Sequence, residues 1–255
     1  MSDPEPIRMH VHEWGSGPRM VLVHGGVLGG REAWRAQRPL TERWTLLAPD
    51  RPGHGRTPRS RRQDFEADAQ LVADQLLDEP SHLVGLSYGA IVAMYAAALR
   101  PAGVRSLTIA EPPSSGVVKD VPAVAEWGAQ VRSIFENTDV PPADALRRFF
   151  PIAGTPVEVP DPLPEPLERG MRQLFGARPP DEADPPLHVL RDAPFPVLVV
   201  SGGHSDVQEM ICDVIAKETG AERAVCAGMG HLIPDTGEPF NTLIEQFALR
   251  ADRTA

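Results

Sequence analysis

The segment Gly85-Leu86-Ser87-Tyr88-Gly89 is a G-x-S-x-G pentapeptide between two apolar runs. Residues 81–84 before it are typical of a short buried strand, and residues 90–99 after it are typical of a buried helix. A serine at such a strand-to-helix turn has a strained backbone and an exposed hydroxyl. We expect both glycines to be required, because a side chain at either position would collide with the neighbouring strand and helix. The pentapeptide therefore predicts that Ser87 is a nucleophile.

Three further motifs each follow a strand-like run, at the points where a serine nucleophile of this kind needs partners. The motifs are His24-Gly25-Gly26, Gly202-Gly203-His204-Ser205-Asp206 and Gly228-Met229-Gly230-His231. A serine hydroxyl needs a base to accept its proton during attack, and a third group that holds the base in the right tautomer. We therefore predict His231 as the base and Asp206 as the acid that orients it.

Together, the four motifs resemble those of the α/β-hydrolase family, and the resemblance covers nearly the whole chain. It implies an α/β fold with a mostly parallel, doubly wound sheet and a site at the carboxyl ends of the strands. It also implies an oxyanion hole made by the backbone N–H groups of Gly26 and Tyr88. His24 is expected to be structural, fixing the loop that contains Gly26.

A second carboxylate competes with Asp206 for the acid position. Glu111 comes directly after the strand-like residues 107–110, and some relatives carry their acid at that earlier strand end. Both positions lie at the same predicted sheet edge. The sequence interpretation favours Asp206 and keeps Glu111 as the alternative acid. If it is not the acid, Glu111 is expected to accept backbone hydrogen bonds in a loop.

The strand and helix signals alternate along most of the chain, which predicts βαβ units. A turn of hairpin type at residues 15–18 separates the first two strands. The pattern changes at residues 112–196, which hold 17 of the 28 prolines. Helical segments are predicted there at 123–136, 143–150 and near 166–175. We interpret 1–111 and 195–255 as the α/β core and 112–194 as an inserted helical cap.

Composition limits the classes of function. The chain has 255 residues, 42% of them hydrophobic, and a formal charge of −10, which argues against non-specific nucleic-acid binding. No apolar run approaches the length of a membrane span, and the first ten residues contain no signal-like apolar region, so we expect a cytoplasmic protein without membrane association. Cys212 and Cys226 make no disulfide framework. The sequence does not specify an oligomeric state.

No cofactor is expected, since the sequence shows neither a phosphate-binding loop nor a dinucleotide fingerprint. His10 and His12 lie two residues apart on one face of a predicted strand, a spacing that suits a metal ion. Because the sequence shows no third ligand, we interpret them as residues of an exposed strand and predict no metal site.

The leading functional hypothesis is a serine hydrolase that cleaves a carboxylic ester, lactone or thioester of a small organic substrate through an acyl-enzyme on Ser87. The first alternative is a receptor-like protein that binds a small molecule on the same fold. The others are a carbon–carbon bond hydrolase, a perhydrolase or a cyclisation enzyme. The serine at the elbow disfavours the dehalogenase and epoxide hydrolase branches of the family, which use aspartate there.

Overall fold

A computed structural model describes residues 7–58, 62–118 and 120–254. Seven strands in it form one sheet in the order β1-β3-β2-β4-β5-β6-β7. They are β1 (His10–Trp14), β2 (Arg19–Val23), β3 (Thr45–Asp50), β4 (Ser81–Leu86), β5 (Val104–Ala110), β6 (Val197–Ser201) and β7 (Glu222–Val225). Only β1 is antiparallel to its neighbour. The predicted fold class, a mostly parallel α/β sheet, is confirmed.

The predicted hairpin between the first two strands is wrong. The turn at residues 15–18 leads from β1 into β2, but β1 pairs with β3, with His10 opposite Asp50. β2 instead lies between β3 and β4 and is parallel to both. Glycine and proline signals indicate where the chain turns, but they do not determine which strand becomes the partner.

Nine α-helices accompany the sheet within the described residues. They are α1 (Gly30–Ala33), α2 (Phe65–Leu76), α3 (Tyr88–Leu99), α4 (Pro122–Glu136), α5 (Pro142–Ile152), α6 (Glu165–Leu174), α7 (Leu187–Arg191), α8 (Asp206–Thr219) and α9 (Glu238–Thr254). None of these helices is both long and apolar enough to cross a lipid bilayer.

Alternate residues of the central strands face two separate apolar clusters. In β2, Val21 and Val23 pack in the cluster that contains α2, α3 and α8, while Met20 and Leu22 pack in the cluster that contains α9. This period of two follows from the pleat of a strand. The sheet is therefore covered on both faces, and its carboxyl edge is left as the place where loops converge.

The chain between β5 and β6 contains α4, α5, α6 and α7 and no strand among its described residues. Helix α6 packs against the loop after β2 so closely that a Cβ on Gly170 would collide with the backbone carbonyl of Val27. The end of α5 is hydrogen-bonded to the loop after β7, where the N–H of His231 donates to Ala153 O at 2.9 Å. These helices thus lie over the carboxyl edge of the sheet.

Candidate active site

Ser87 occupies a sharp turn between β4 and α3. Its φ of 55° and ψ of −125° lie outside the regions that L-residues prefer. A Cβ on Gly85 would come within 2.7 Å of Ala90 Cα, and one on Gly89 would lie 2.8 Å from the carbonyl carbon of His24. Both contacts are closer than carbon atoms tolerate, so the helix and the neighbouring strand can pack at this turn only because both flanking residues are glycine, as expected from the sequence.

His231 lies against the Ser87 hydroxyl. Its Nε2 is 2.7 Å from Ser87 Oγ, and its ring is nearly buried. Gly230, with a φ of 55°, makes the turn that precedes it. The ring of Phe149 from α5 meets the imidazole edge to face at a centroid distance of 5.9 Å. The predicted serine and histidine are therefore brought together at hydrogen-bond distance.

Glu111 contacts the other side of the imidazole. Its Oε2 is 2.9 Å from His231 Nδ1, and its side chain is fully buried. The second oxygen, Oε1, accepts from the N–H of Gly202 at 2.5 Å. Because the carboxylate can only accept while ionised, Nδ1 carries the proton and Nε2 presents its lone pair to the Ser87 hydroxyl.

The structure corrects the favoured prediction for the acid. Asp206 is exposed in the first turn of α8 and makes no hydrogen bond to His231, whereas Glu111 makes that bond. Ser205 caps α8 by accepting from the N–H of Gln208 at 3.4 Å. The helix therefore begins at Asp206, where a carboxylate interacts favourably with the helix dipole and faces solvent.

A local sequence signal distinguishes the two carboxylates. Ser205-Asp206-Val207-Gln208 has the S-x-x-Q pattern of a capping box, which marks the start of a helix and assigns Asp206 to its first turn. Gln208 then supports the competing acid, because its Nε2 donates to the carbonyl of Pro112 at 2.9 Å. Thus the helix that carries Asp206 helps to hold the chain beside Glu111.

A buried arginine holds the glycine loop next to Ser87. Arg51 Nη2 donates to the carbonyl of Gly25 at 2.5 Å, and Nη1 donates to Asp68 at 2.7 Å. In a planar trans peptide the C=O and the following N–H point in opposite directions. Anchoring the Gly25 carbonyl therefore directs the Gly26 N–H away from Arg51. Neither that N–H nor the N–H of Tyr88 donates to another described residue, so both remain available as oxyanion donors.

Two neutral histidines donate hydrogen bonds to the carbonyls of the glycine loop. Burial and the neighbouring Arg51 lower the pKa of His54 from 6.5 to about 3, and the same causes lower the pKa of His24 well below 6.5. His24 Nδ1 donates to Gly25 O at 2.8 Å, and its Nε2 accepts from the N–H of Arg51 at 3.0 Å. His54 Nε2 donates to Gly26 O at 3.0 Å. The sequence predicted a structural role for His24, but it did not indicate Arg51, because this network forms only in the folded chain.

His204, which belongs to the same sequence motif as Asp206, lies beside Glu111. Its Nδ1 is 3.8 Å from Glu111 Oε1, beyond hydrogen-bond distance, and its ring centroid is 6.5 Å from that of His231. Desolvation is the main cause that lowers the pKa of His204 below 6.5. A neutral His204 does not compete with His231 for the negative charge of Glu111.

A mostly apolar pocket opens above Ser87, between the sheet edge and α4, α5 and α6. Its apolar walls include Val27, Leu28, Leu86, Trp127, Val131, Phe135, Leu146, Phe149, Phe150, Leu167 and Leu174. Ser87 and His231 line the pocket together with Gly26 and Tyr88. Arg35 also lines it, paired with Asp235 at 3.0 Å. The arrangement can accept an apolar molecule whose reactive carbonyl meets the serine.

Within the described ranges, the one group of side chains spaced to ligate a metal ion is His10, His12 and Asp50. None of the three lines the pocket. Ser87, His231 and Glu111 form a hydrogen-bonded series of the kind that proton transfer and covalent attack require.

Comparison with known proteins defines the class. The model of the α/β-hydrolase family matches residues 20–243, and the chain belongs to that family.

A pimeloyl-[acyl-carrier protein] methyl ester esterase from Methylococcus capsulatus is 33% identical over 212 residues, which cover 74% of this chain and 76% of that protein. The lipase LipV from Mycobacterium tuberculosis is 36% identical over 135 residues, 51% of this chain and 48% of the lipase. Among solved structures, the esterase EaEST from Exiguobacterium antarcticum superposes with a TM-score of 0.73 at 19% identity, covering 95% of this chain and 96% of that one. At that identity the likeness shows the shared fold.

Proposed function

We propose that this protein is a serine hydrolase that cleaves carboxylic esters of small apolar acids, with Ser87 as nucleophile, His231 as base and Glu111 as acid. The observation that carries the proposal is the continuous hydrogen-bonded series from Ser87 Oγ to Glu111, with distances of 2.7 and 2.9 Å, at the base of an apolar pocket. The esterase and lipase names of the relatives support ester cleavage.

The geometry supports a two-step acyl transfer. Ser87 Oγ attacks the ester carbonyl while His231 Nε2 takes its proton, and the imidazolium formed is stabilised by Glu111. The N–H groups of Gly26 and Tyr88 would stabilise the oxyanion, each contributing about 3 kcal/mol to lowering the barrier. His231 returns the proton to the leaving alcohol, and water then releases the acid from the acyl-enzyme. Lactones and thioesters present the same carbonyl to the same groups.

We also propose that residues 112–194 act as a cap that selects the substrate, with 1–111 and 195–255 as the core. Most of the apolar walls of the pocket come from α4, α5 and α6, whereas the reacting groups come from the loops after β2, β4, β5 and β7. Specificity and chemistry are thereby assigned to different parts of the chain. The cytoplasmic location expected from the sequence stays a prediction.

The test compares p-nitrophenyl esters of acetate, butyrate and heptanoate, with the monoester of heptanedioate as a matched control. We expect hydrolysis that depends on Ser87. We also expect kcat/KM for the heptanoate to exceed that for the heptanedioate by at least about tenfold, because an unpaired carboxylate is costly to bury in this pocket.

The Ser87→Ala variant provides the second control. Turnover that survives in Ser87→Ala would refute the assignment of the nucleophile. Saturable ligand binding without turnover of any ester, lactone or thioester would instead favour a receptor-like protein.

A further inference from the structure

Three side chains of the kinds that ligate metal ions meet at the edge of the sheet, and none of them lines the pocket. His10 and His12 lie on the same face of β1, and the antiparallel register puts Asp50 of β3 directly opposite His10. His12 Nε2 is 3.0 Å from Asp50 Oδ2, and the ligand atoms of all three residues lie within 4.8 Å of one another. The third ligand, which the sequence did not show, is supplied by the pairing of β1 with β3.

The carboxylate is already oriented by the backbone. Asp50 is fully buried; its Oδ1 accepts from the N–H of Gly30 at 2.8 Å, and its Oδ2 accepts from the N–H of Arg56 at 2.9 Å. Hydrogen bonds of this kind, which fix a ligand before the ion arrives, are typical around metal sites. Trp14 stacks on the ring of His12 at a centroid distance of 5.6 Å and an interplanar angle of 16°, which limits the rotation of that ring.

The histidines remain accessible. His10 and His12 are half-buried, and the His10 ring makes no hydrogen bond with another of the described residues. Two imidazoles and one carboxylate form a ligand set that suits Zn²⁺ and related divalent ions.

We propose that His10, His12 and Asp50 bind one divalent transition-metal ion of the Zn²⁺ type, with water completing its coordination. The ion would tie the edge strand β1 to the carboxyl end of β3, where Asp50 also holds the loops at Gly30 and Arg56. Its role is therefore structural. The opposing account is that Asp50 simply accepts a hydrogen bond from His12 and that His10 has no function there.

The experiment uses untagged protein treated with a chelator and then titrated with Zn²⁺, measured by calorimetry and by thermal unfolding. We expect one equivalent to bind and Tm to rise with the Zn²⁺ concentration. Co²⁺ in place of Zn²⁺ should give the visible absorption bands of a protein-bound, low-coordinate ion. Absence of saturable binding to the folded wild-type protein would overturn the proposal.

The variant His10→Gln separates the two accounts, because the imidazole of His10 makes no hydrogen bond that its loss would break within the described structure. The metal site predicts that both His10→Gln and His12→Gln weaken Zn²⁺ binding at least tenfold. Replacing the exposed His188 of α7 by glutamine controls for the loss of a histidine elsewhere and should leave binding intact. Unchanged binding in folded His10→Gln would show that the ion binds at another place.

Discussion

Ser87 and Glu111 share an unusual backbone conformation at the ends of two adjacent strands. Their φ angles are 55° and 50°, and such values cost a non-glycine residue about 1–3 kcal/mol. The surrounding sheet holds both residues, since the N–H of Ser87 donates to Ala110 O and the N–H of Glu111 donates to Val200 O, each at 2.9 Å. These backbone conformations direct the side chains of both residues toward His231.

The buried His54 predicts acid sensitivity. Its pKa of about 3 in the folded state lies below 6.5, so the unfolded chain binds more protons between these values. The unfolding free energy therefore falls as the pH falls from about 6.5 toward 3, by up to about 1.4 kcal/mol per pH unit for this group. In His54→Gln, denaturant unfolding between pH 4 and 6.5 should show a shallower dependence on pH than in the wild type.

The pKa of His24 is also lowered, so His24 makes the unfolding free energy fall with pH in the same direction. In His54→Gln the dependence of the unfolding free energy on pH should therefore become smaller without vanishing. His188→Gln serves as the control at an exposed position. A slope equal to that of the wild type in folded His54→Gln would contradict the assignment of His54 as a neutral, buried group.

At the residue scale, the sequence predicted Ser87 and His231 from short motifs with fixed backbone requirements, and the structure brings these two side chains together. The choice between Asp206 and Glu111 depends on whether the chain after β6 continues as a loop or begins a helix. Ser205 starts the helix and turns Asp206 to solvent. The buried Arg51 could not be predicted, because its partners lie far apart in the chain and converge only after the sheet has formed.

Among the elements, α6 controls the oxyanion loop by direct contact. Gly170 packs against the backbone of Val27, and Leu174 lies so near Gly26 that a Cβ there would come within 2.6 Å of Leu174 Cδ1. Gly170→Ala should displace α6 from this loop, reduce kcat by at least about tenfold and lower stability by about 1–3 kcal/mol. Steady-state kinetics and denaturant unfolding measure the two effects.

Arg172→Ala is the matched control for Gly170→Ala, because this side chain is on the exposed side of the same helix and pairs with Glu168 four residues earlier. We expect wild-type kcat in this variant. A Gly170→Ala enzyme with unchanged kcat would show that the position of α6 does not determine the geometry of the loop.

Helix α5 has a different relation to the site. At its C-terminal end, Ala153 O accepts a hydrogen bond from the N–H of His231, and Phe149 of the same helix packs against the imidazole. Movement of this end would therefore disturb the base itself. If the cap opens to admit substrate, we expect the end of α5 to stay in place.

The helical elements were largely predictable from apolar periodicity. The expected helices at 123–136 and 143–150 correspond to α4 and α5, and the one near 166–175 corresponds to α6. Helix α7 was missed, because its five residues are too short for a periodic pattern. Pairing of β1 with β3 was also missed, since the chain reverses before β2 and the partner strand is set by the packing of the whole sheet.

Across the whole molecule, Arg178 links the proposed cap to the core. Its Nη1 donates to Glu66 of α2 at 2.9 Å and its Nε donates to Glu182 at 3.3 Å, while its guanidinium lies 4.2 Å from the ring centroid of Phe65. Arg178→Ala should lower the unfolding free energy by about 1 kcal/mol and raise KM more than it lowers kcat.

Arg147→Ala provides the comparison, because Arg147 pairs with Asp144 inside α5 and makes no ion pair with the core residues that the structure describes. Its KM should match that of the wild type. If the two variants have the same KM, the contacts of Arg178 do not affect how the cap binds substrate.

The overall architecture could be predicted because the alternating strand and helix signals and the order of the motifs all indicate the same α/β fold. The arrangement of the helices between β5 and β6 was not, because their positions depend on close contacts with the core, such as Gly170 on Val27, that no local pattern encodes. The apolar composition of this segment was predictable, but its role in the pocket depends on that arrangement.

The most direct test of the proposed mechanism is the rate at which a fluorophosphonate modifies Ser87, measured by intact mass in the wild type, Glu111→Gln and Asp206→Asn. This measurement requires no knowledge of the natural substrate. We predict a single adduct that is absent in Ser87→Ala, equal rates in the wild type and Asp206→Asn, and a rate at least about 100-fold lower in Glu111→Gln, because the base loses its orienting carboxylate. A slow Asp206→Asn variant beside a fast, folded Glu111→Gln variant would contradict the account.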